Sequence, residues 1–185
     1  TVEELAVKRM IRQIAGLDIL IACFLFTGCA TVPHDLPKEY SSFIADTDET
    51  HFGSKAAAWE RTHDGMSGFY PIVHGMDALG ARLRLLEKAE KSADLQYFLM
   101  KDDTAGQVVR HALEQAADRG VRVRFLLDDI FSTAADNDLL RLNQHPNIEV
   151  RLFNPVSRKG LHWLNFAGDF RRANRRMHNK SFTVD

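Results

Sequence analysis

Cysteine is scarce in this chain, with two among 185 residues, Cys23 and Cys29, both near the amino end. The rest of the sequence therefore has no disulfide framework and no multi-cysteine metal site to draw on. An excess of one charge is also missing. Lys and Arg number 24 against 25 Asp and Glu, for a formal net charge of −1, so bulk charge gives no ground for wholesale nucleic-acid binding. No internal repeat or low-complexity tract is present. No CxxC pair, HExxH, Walker loop or nucleophile elbow occurs either, which leaves those chemistries unsupported. What is present is ordinary. An apolar share of 45% excludes a disordered or collagen-like chain, and 26% charged residues exclude a polytopic membrane protein. The length suits one domain of common size.

The amino end has the layout of a secretory signal. Lys8, Arg9 and Arg12 precede the apolar stretch Ile19–Phe26, and small residues follow. At roughly 8 to 15 residues that stretch is too short to span a bilayer as an ordinary helix. Phe26-Thr27-Gly28-Cys29, followed by Ala30, resembles a bacterial lipoprotein box, with Cys29 the lipidated residue. Leu20-Ile21-Ala22-Cys23 is a rival box, but cleavage there would leave Phe24-Leu25-Phe26 exposed. Residues 1–29 are thus read as a lipoprotein-type signal leader, with Met10 a possible true start. Residues 30–70 are read as a linker and irregular lead-in, with a short helix near Lys55–Arg61. Residues 71–185 are read as a first domain that is incomplete. The chain begins with Thr1 and stops at Asp185 inside an apolar, β-branched run, which reads as an amino-terminal fragment.

From Asp77 onward the hydrophobic period sharpens. Leu79, Leu83 and Leu86 recur at helical spacing, and Ala93–Met100 reads as a strand. Gly106–Arg119 is a second amphipathic helix, stopped by Gly120. Val121–Leu127 alternates apolar residues with Arg122 and Arg124, as a half-buried strand does. Asn137–Gln144 reads as a short helix, Ile148–Phe153 as a third strand and Met177–Val184 as a fourth. Strand alternating with helix predicts an α/β domain, a sheet flanked by helices.

The chemistry concentrates in Met177-His178-Asn179-Lys180-Ser181-Phe182-Thr183-Val184-Asp185. In an extended strand His178 and Lys180 leave the same face. An imidazole beside an ammonium suits a phosphate substrate. The ring attacks phosphorus or relays a proton, and the cation neutralises the non-bridging oxygens. Asp185 would face the other way in a regular strand and so reads as a supporting residue. Between Val150 and Asp185 there are eight Lys or Arg against two Asp, whereas the rest of the chain is net acidic. That asymmetry sets positive charge, including Arg171, Arg172, Arg175 and Arg176, beside the proposed phosphate site.

This H-x-K-x4-D pattern resembles the hallmark of the phospholipase D superfamily. Ala89-Glu90-Lys91-Ser92-Ala93-Asp94-Leu95-Gln96-Tyr97-Phe98, Arg119-Gly120-Val121-Arg122-Val123-Arg124-Phe125-Leu126-Leu127-Asp128-Asp129 and Asn174-Arg175-Arg176-Met177 resemble its bacterial cardiolipin-synthase-like members, over roughly Phe69 to Asp185. The resemblance implies a phospholipase-D-like half-domain truncated at its first H-x-K-x4-D strand. It implies a phosphatidyltransferase working through a phosphohistidine, with His178, Lys180 and Asp185 in the catalytic motif and no metal or organic cofactor. A second H-x-K half, phospholipid substrates and a membrane surface are the implied partners; no nucleic acid is expected. Arg175, Arg176 and Asn179 are candidates for the substrate phosphate or headgroup. Asp128 and Asp129 are candidates to orient an imidazole, or else cap a turn. Trp163, Leu164 and Phe166 suit either a lipid wedge or core. Alternatives on the same scaffold are a phospholipase-D-type phosphodiesterase and a dimeric single-motif nuclease, and outside enzymes a basic membrane-binding module.

The leader generates a direct prediction. In the bacterial envelope, on the periplasmic face, the mature protein should carry an acylated Cys29 at its terminus, two or more chains giving firm anchoring. Mass spectrometry of the envelope protein checks this, and an unmodified Thr1 or Met10 terminus would contradict it.

Overall fold

Four strands alternate apolar and polar side chains, and the alternation builds one sheet with two unlike faces. They are β1 (Ser92–Tyr97), β2 (Arg122–Asp128), β3 (Ile148–Phe153) and β4 (Ser181–Val184), in spatial order β3-β2-β1-β4. The first three run parallel, whereas β4 is antiparallel to β1. The computed structural model describes residues 37, 39–130, 136–156 and 170–185. The leader with Cys23 and Cys29, and the residues Trp163, Leu164 and Phe166, lie outside these.

Register decides which residues share a face. Leu95 sits between Phe125 on one side and Phe182 on the other, and Ala93 between Val123 and Val184. These residues form the apolar face. The described helices are α1 (His51–Glu60), α2 (Gly75–Lys88), α3 (Thr104–Asp118), α4 (Asp136–Asn143) and the short α5 (Phe170–Ala173), and α2, α3 and α4 cover that face. Leu86 of α2, Leu113 of α3 and Leu142 of α4 are buried in one cluster with Leu95, Phe125 and Val123. Burying a Leu or Phe side chain contributes roughly 1.5–3 kcal/mol, so this single layer supplies most of the cohesion.

The opposite face is polar. Asp94, Arg124 and Glu149 fall in one row across β1, β2 and β3. Arg124 grips Asp94 with a fork, its Nε donating at 2.6 Å, and its Nη1 reaches Ser41 Oγ at 3.0 Å. Arg151 donates to the backbone carbonyl of Glu39 at 2.8 Å. Lead-in residues therefore rest on this face, tied by hydrogen bonds, while Tyr40, Phe69 and Tyr70 of the same stretch are highly exposed.

Local signals explain the helix limits. Asp103 caps α3 by accepting from Gly106 N–H at 2.9 Å. Gly106 is required there, because a Cβ would stand 2.0 Å from the carbonyl oxygen of Lys101. Asp102 beside it accepts from Arg110 at 2.8 Å, and that hydrogen bond holds its carboxyl below the usual range. Beyond α3, Gly120 takes φ +95°, a left-handed value natural to glycine.

Three expectations shift. The lead-in contains a full helix, α1, longer than the Lys55–Arg61 segment expected; Thr50 caps it by accepting from Gly53 N–H at 3.1 Å. β1 stops at Tyr97 instead of Met100, and β4 begins at Ser181 instead of Met177. Pairing is the reason for the last two, since the parallel register with β2 ends at Tyr97↔Leu127 and the antiparallel register runs only from Gln96↔Ser181 to Ala93↔Val184. His178 and Lys180 consequently lie just before the strand. Residues 37–155 and 175–185 cluster as one unit, and α5 is counted apart from it.

Candidate active site at the entrance of the fourth strand

Two carboxylates fix the ends of the motif segment. At its start, Asp128 closes β2 with no exposed surface. Its Oδ2 accepts from Met177 N–H at 2.8 Å, and its Oδ1 accepts from Arg176 Nη1 at 3.0 Å and from Ile130 N–H at 3.0 Å. The chain entering the motif is held from a second strand end as well. Asn154 donates from Nδ2 to the Arg175 carbonyl at 2.7 Å, while its own carbonyl accepts from Arg176 Nη2 at 2.9 Å. Asn154 adopts φ +43°, a conformation that asparagine tolerates better than most residues.

At the other end, Asp185 leaves β4 with φ +33°. Its carboxylate then reaches the connection between α2 and β1. It accepts three backbone N–H groups, from Glu90 at 2.7 Å, Lys91 at 2.8 Å and Ser92 at 2.7 Å. Such charge-assisted bonds are stronger than neutral ones. The same connection is tied elsewhere: the Glu90 carboxylate accepts from His51 N–H at 3.2 Å, and Lys91 Nζ pairs with Asp46 at 3.0 Å.

Between these anchors stand the chemical groups. His178, Asn179 and Lys180 are exposed and lie just before β4. Lys180 Nζ lies 3.2 Å from His178 Nε2 and 3.3 Å from the His178 carbonyl. An ammonium only donates, so this contact requires Nε2 to accept, with the ring proton on Nδ1. Phe98, one residue past β1, sets its ring 4.8 Å from the imidazole at 64° and 5.3 Å from Lys180 Nζ. Asn179 Nδ2 donates to Gln96 Oε1 at 3.1 Å. Tyr97 turns the other way and lines an apolar cavity of about 340 Å³ with Leu79, Leu95 and Phe125. Burial pushes its phenol pKa up, against the opposing influence of Arg82.

The structure thus brings His178, Lys180 and Asn179 together with Gln96 and Phe98. It commits Arg176 to Asp128 and Asn154, with its side chain only 13% exposed, so this guanidinium braces the segment. Arg175 is exposed and stays available to a ligand by position. Asp128 acts on the backbone of Met177, and Asp129 is buried beside it. Phe98, Gln96 and Asn154 were not singled out from sequence; the polar and aromatic residues at the ends of β1 and β3 were the available signal. Among the described residues, no group of three or more His, Cys, Asp or Glu is placed to hold a metal ion, and no helix is long and apolar enough to cross a membrane.

A mixed α/β sheet with His-x-Lys entering its last strand and an aspartate leaving it defines a phospholipase-D-like domain. A family model described as "Cardiolipin synthase, PLD-like domain" matches residues 83–185, and the chain belongs to that family. It is 52% identical over 123 residues to cardiolipin synthase C of Escherichia coli, covering 66% of this chain and 26% of that protein. An uncharacterized protein of Helicobacter pylori is 37% identical over 169 residues, which cover 90% of this chain and 34% of the relative. The chain thus spans about a quarter to a third of these two relatives. Among solved structures, NucT from Helicobacter pylori aligns with a TM-score of 0.41 and 19% identity, over 60% of this chain and 61% of that one.

Two predictions follow from the anchors. Asp185→Ala leaves three backbone N–H groups without their carboxylate and should destabilise the domain by about 1–3 kcal/mol, read from urea unfolding. Asp128→Ala strands Arg176 and should cost about 3–5 kcal/mol. Coupling Asp128→Ala with Arg176→Met should cost less than the two single losses added, which a double-mutant cycle measures.

Proposed function

We propose that this chain supplies one half of the active site of a phosphatidyltransferase that makes cardiolipin by transfer between phospholipids. The observation that carries the reading is the His178–Lys180 pair at 3.2 Å, exposed at the entrance of β4 in a member of the cardiolipin synthase family. The 52% identity to a cardiolipin synthase C supports the same substrate class.

In this reading His178 Nε2 attacks the phosphorus of a phosphatidyl donor. A nitrogen–phosphorus bond forms, the phosphorus–oxygen bond to the headgroup breaks, and the headgroup alkoxide leaves with a proton from a second histidine. The acceptor hydroxyl then attacks the phosphohistidine, gives its proton to that second histidine and releases His178. Lys180 donates to the non-bridging oxygens as charge grows on them. Arg175 and Asn179, both exposed, are the candidates for the headgroup. The second histidine belongs to a further H-x-K half, absent from these 185 residues, so the chain alone is proposed to be inactive. A lipid-anchored place on the periplasmic face of the envelope would set the site against its substrates. Ala30 after Cys29 resembles an outer-membrane sorting signal, whereas lipid synthesis belongs at the inner membrane.

The full-length protein should convert phosphatidylglycerol vesicles to cardiolipin, followed by lipid separation. His178→Ala should lower turnover by at least ~10²-fold, because the covalent route or its proton relay is gone. Lys180→Ala should lower it by about 10²-fold through lost transition-state stabilisation. Near-normal transfer by folded His178→Ala protein would refute the assignment. Release of phosphatidic acid without cardiolipin would favour a hydrolase, and vesicle binding without turnover would favour a non-catalytic basic module.

A further inference from the structure

We infer that Phe98 is the positioning residue of the His-x-Lys pair, one aromatic ring that holds both the imidazole and the ammonium in working register. The inference rests on the reading of His178 and Lys180 as groups that act on a phosphodiester.

Nothing in the strand pairing holds these two side chains. The register of β4 begins at Ser181, and His178 through Lys180 are exposed. A lysine in that setting would sample many rotamers, at a cost whenever it must be ordered. The ordering contacts come from the carboxyl end of β1. Gln96 takes the Asn179 amide at 3.1 Å and so pins the residue between the pair. Phe98, two positions on and half-buried, meets the imidazole edge to face at 4.8 Å and lies 5.3 Å from the ammonium. A cation–π contact at an exposed site shifts a population by about two- to five-fold, and the imidazole contact adds to that.

The same geometry gives the ring a task during turnover. With Lys180 Nζ on His178 Nε2, the lone pair that must attack phosphorus is occupied. A phosphodiester oxygen is a better acceptor for the ammonium than a neutral imidazole. When substrate arrives, Lys180 transfers its hydrogen bond to phosphate and Nε2 is freed. The ammonium makes that short move while remaining over the Phe98 ring, and the imidazole keeps its edge contact. Phe98 carries no group that can bond to phosphorus or move a proton, so its effect falls on the alignment of the two groups that do.

The test uses the full-length protein with Phe98→Leu and Phe98→Tyr. Two substrates are assayed, bis(4-nitrophenyl) phosphate in solution and phosphatidylglycerol vesicles. Phe98→Leu should lower kcat by about tenfold with KM changed by less than about twofold, the pattern of a lost transition-state alignment, and Phe98→Tyr should restore kcat to within about twofold. Proton NMR of His178 supplies a readout independent of activity. Its ring protons should carry an aromatic ring-current shift in the wild type and in Phe98→Tyr that vanishes in Phe98→Leu. Phe98→Met serves in the same comparison should the leucine variant fold poorly. Unchanged kcat in a folded leucine variant, or His178 shifts indifferent to residue 98, would overturn the inference. If the wild type turns over neither substrate, the phosphodiester reading fails, and the ring-current comparison still decides whether Phe98 holds His178.

Discussion

A carboxylate with no exposed surface, Asp128, is the constraint on which the site depends. Burying an ionised group is unfavourable unless its lone pairs are satisfied, and here they receive a guanidinium and two backbone N–H groups. Because one of those N–H groups belongs to Met177, the satisfaction of Asp128 and the placement of His178 are a single event. The carboxyl end of β2 thereby dictates where the histidine begins its excursion from the sheet. Asn154 at the end of β3 and Phe98 at the end of β1 add their contacts from neighbouring strands. Three parallel strand ends converge on one short extended segment, the place where α/β sheets characteristically build their sites.

The one-sided sheet is the second organising feature. Its apolar face is covered by α2, α3 and α4, whereas the other carries a row of alternating charge, Asp94, Arg124 and Glu149. Opposite charges directly across strands support pairing modestly, and Arg124 also binds the lead-in through Ser41. Hydrogen bonds from Arg124 and Arg151 join the described lead-in residues to this face, in contrast to the hydrophobic seam beneath the helices.

Much of this was legible in the sequence because periodicity reports burial. Leu79, Leu83 and Leu86 mark α2, and the Val123, Phe125, Leu127 alternation marks β2 without reference to anything distant. The pairing of His178 with Lys180 was legible for the same reason, two residues apart in an extended chain. What was not legible depends on partners far away in the chain. β4 starts at Ser181 because its pairing with β1 begins at Gln96, and no local pattern around Met177 encodes that. Arg176 read as a headgroup ligand because a run of arginines looks alike whether it faces solvent or a buried carboxylate. Phe98 is one aromatic residue among several, and only the fold sets it beside a histidine 80 positions later. The destination of the Asp185 carboxylate was hidden too, since the three N–H groups that receive it lie more than 90 residues earlier.

The four residues between Lys180 and Asp185 are Ser181, Phe182, Thr183 and Val184, which together are the whole of β4. The interval in the motif is therefore a measured span of paired strand. Its length delivers the aspartate to the α2–β1 connection at one end while keeping His178 and Lys180 outside the ladder at the other. Adding or removing a residue would exchange Phe182 and Val184 for Thr183 on the apolar face and pull Asp185 away from its three N–H groups at once. Loops elsewhere in such a domain absorb insertions cheaply. This interval has no such slack, and so it works as a gauge that the chain cannot alter without giving up both its sheet register and the placement of His178 and Lys180.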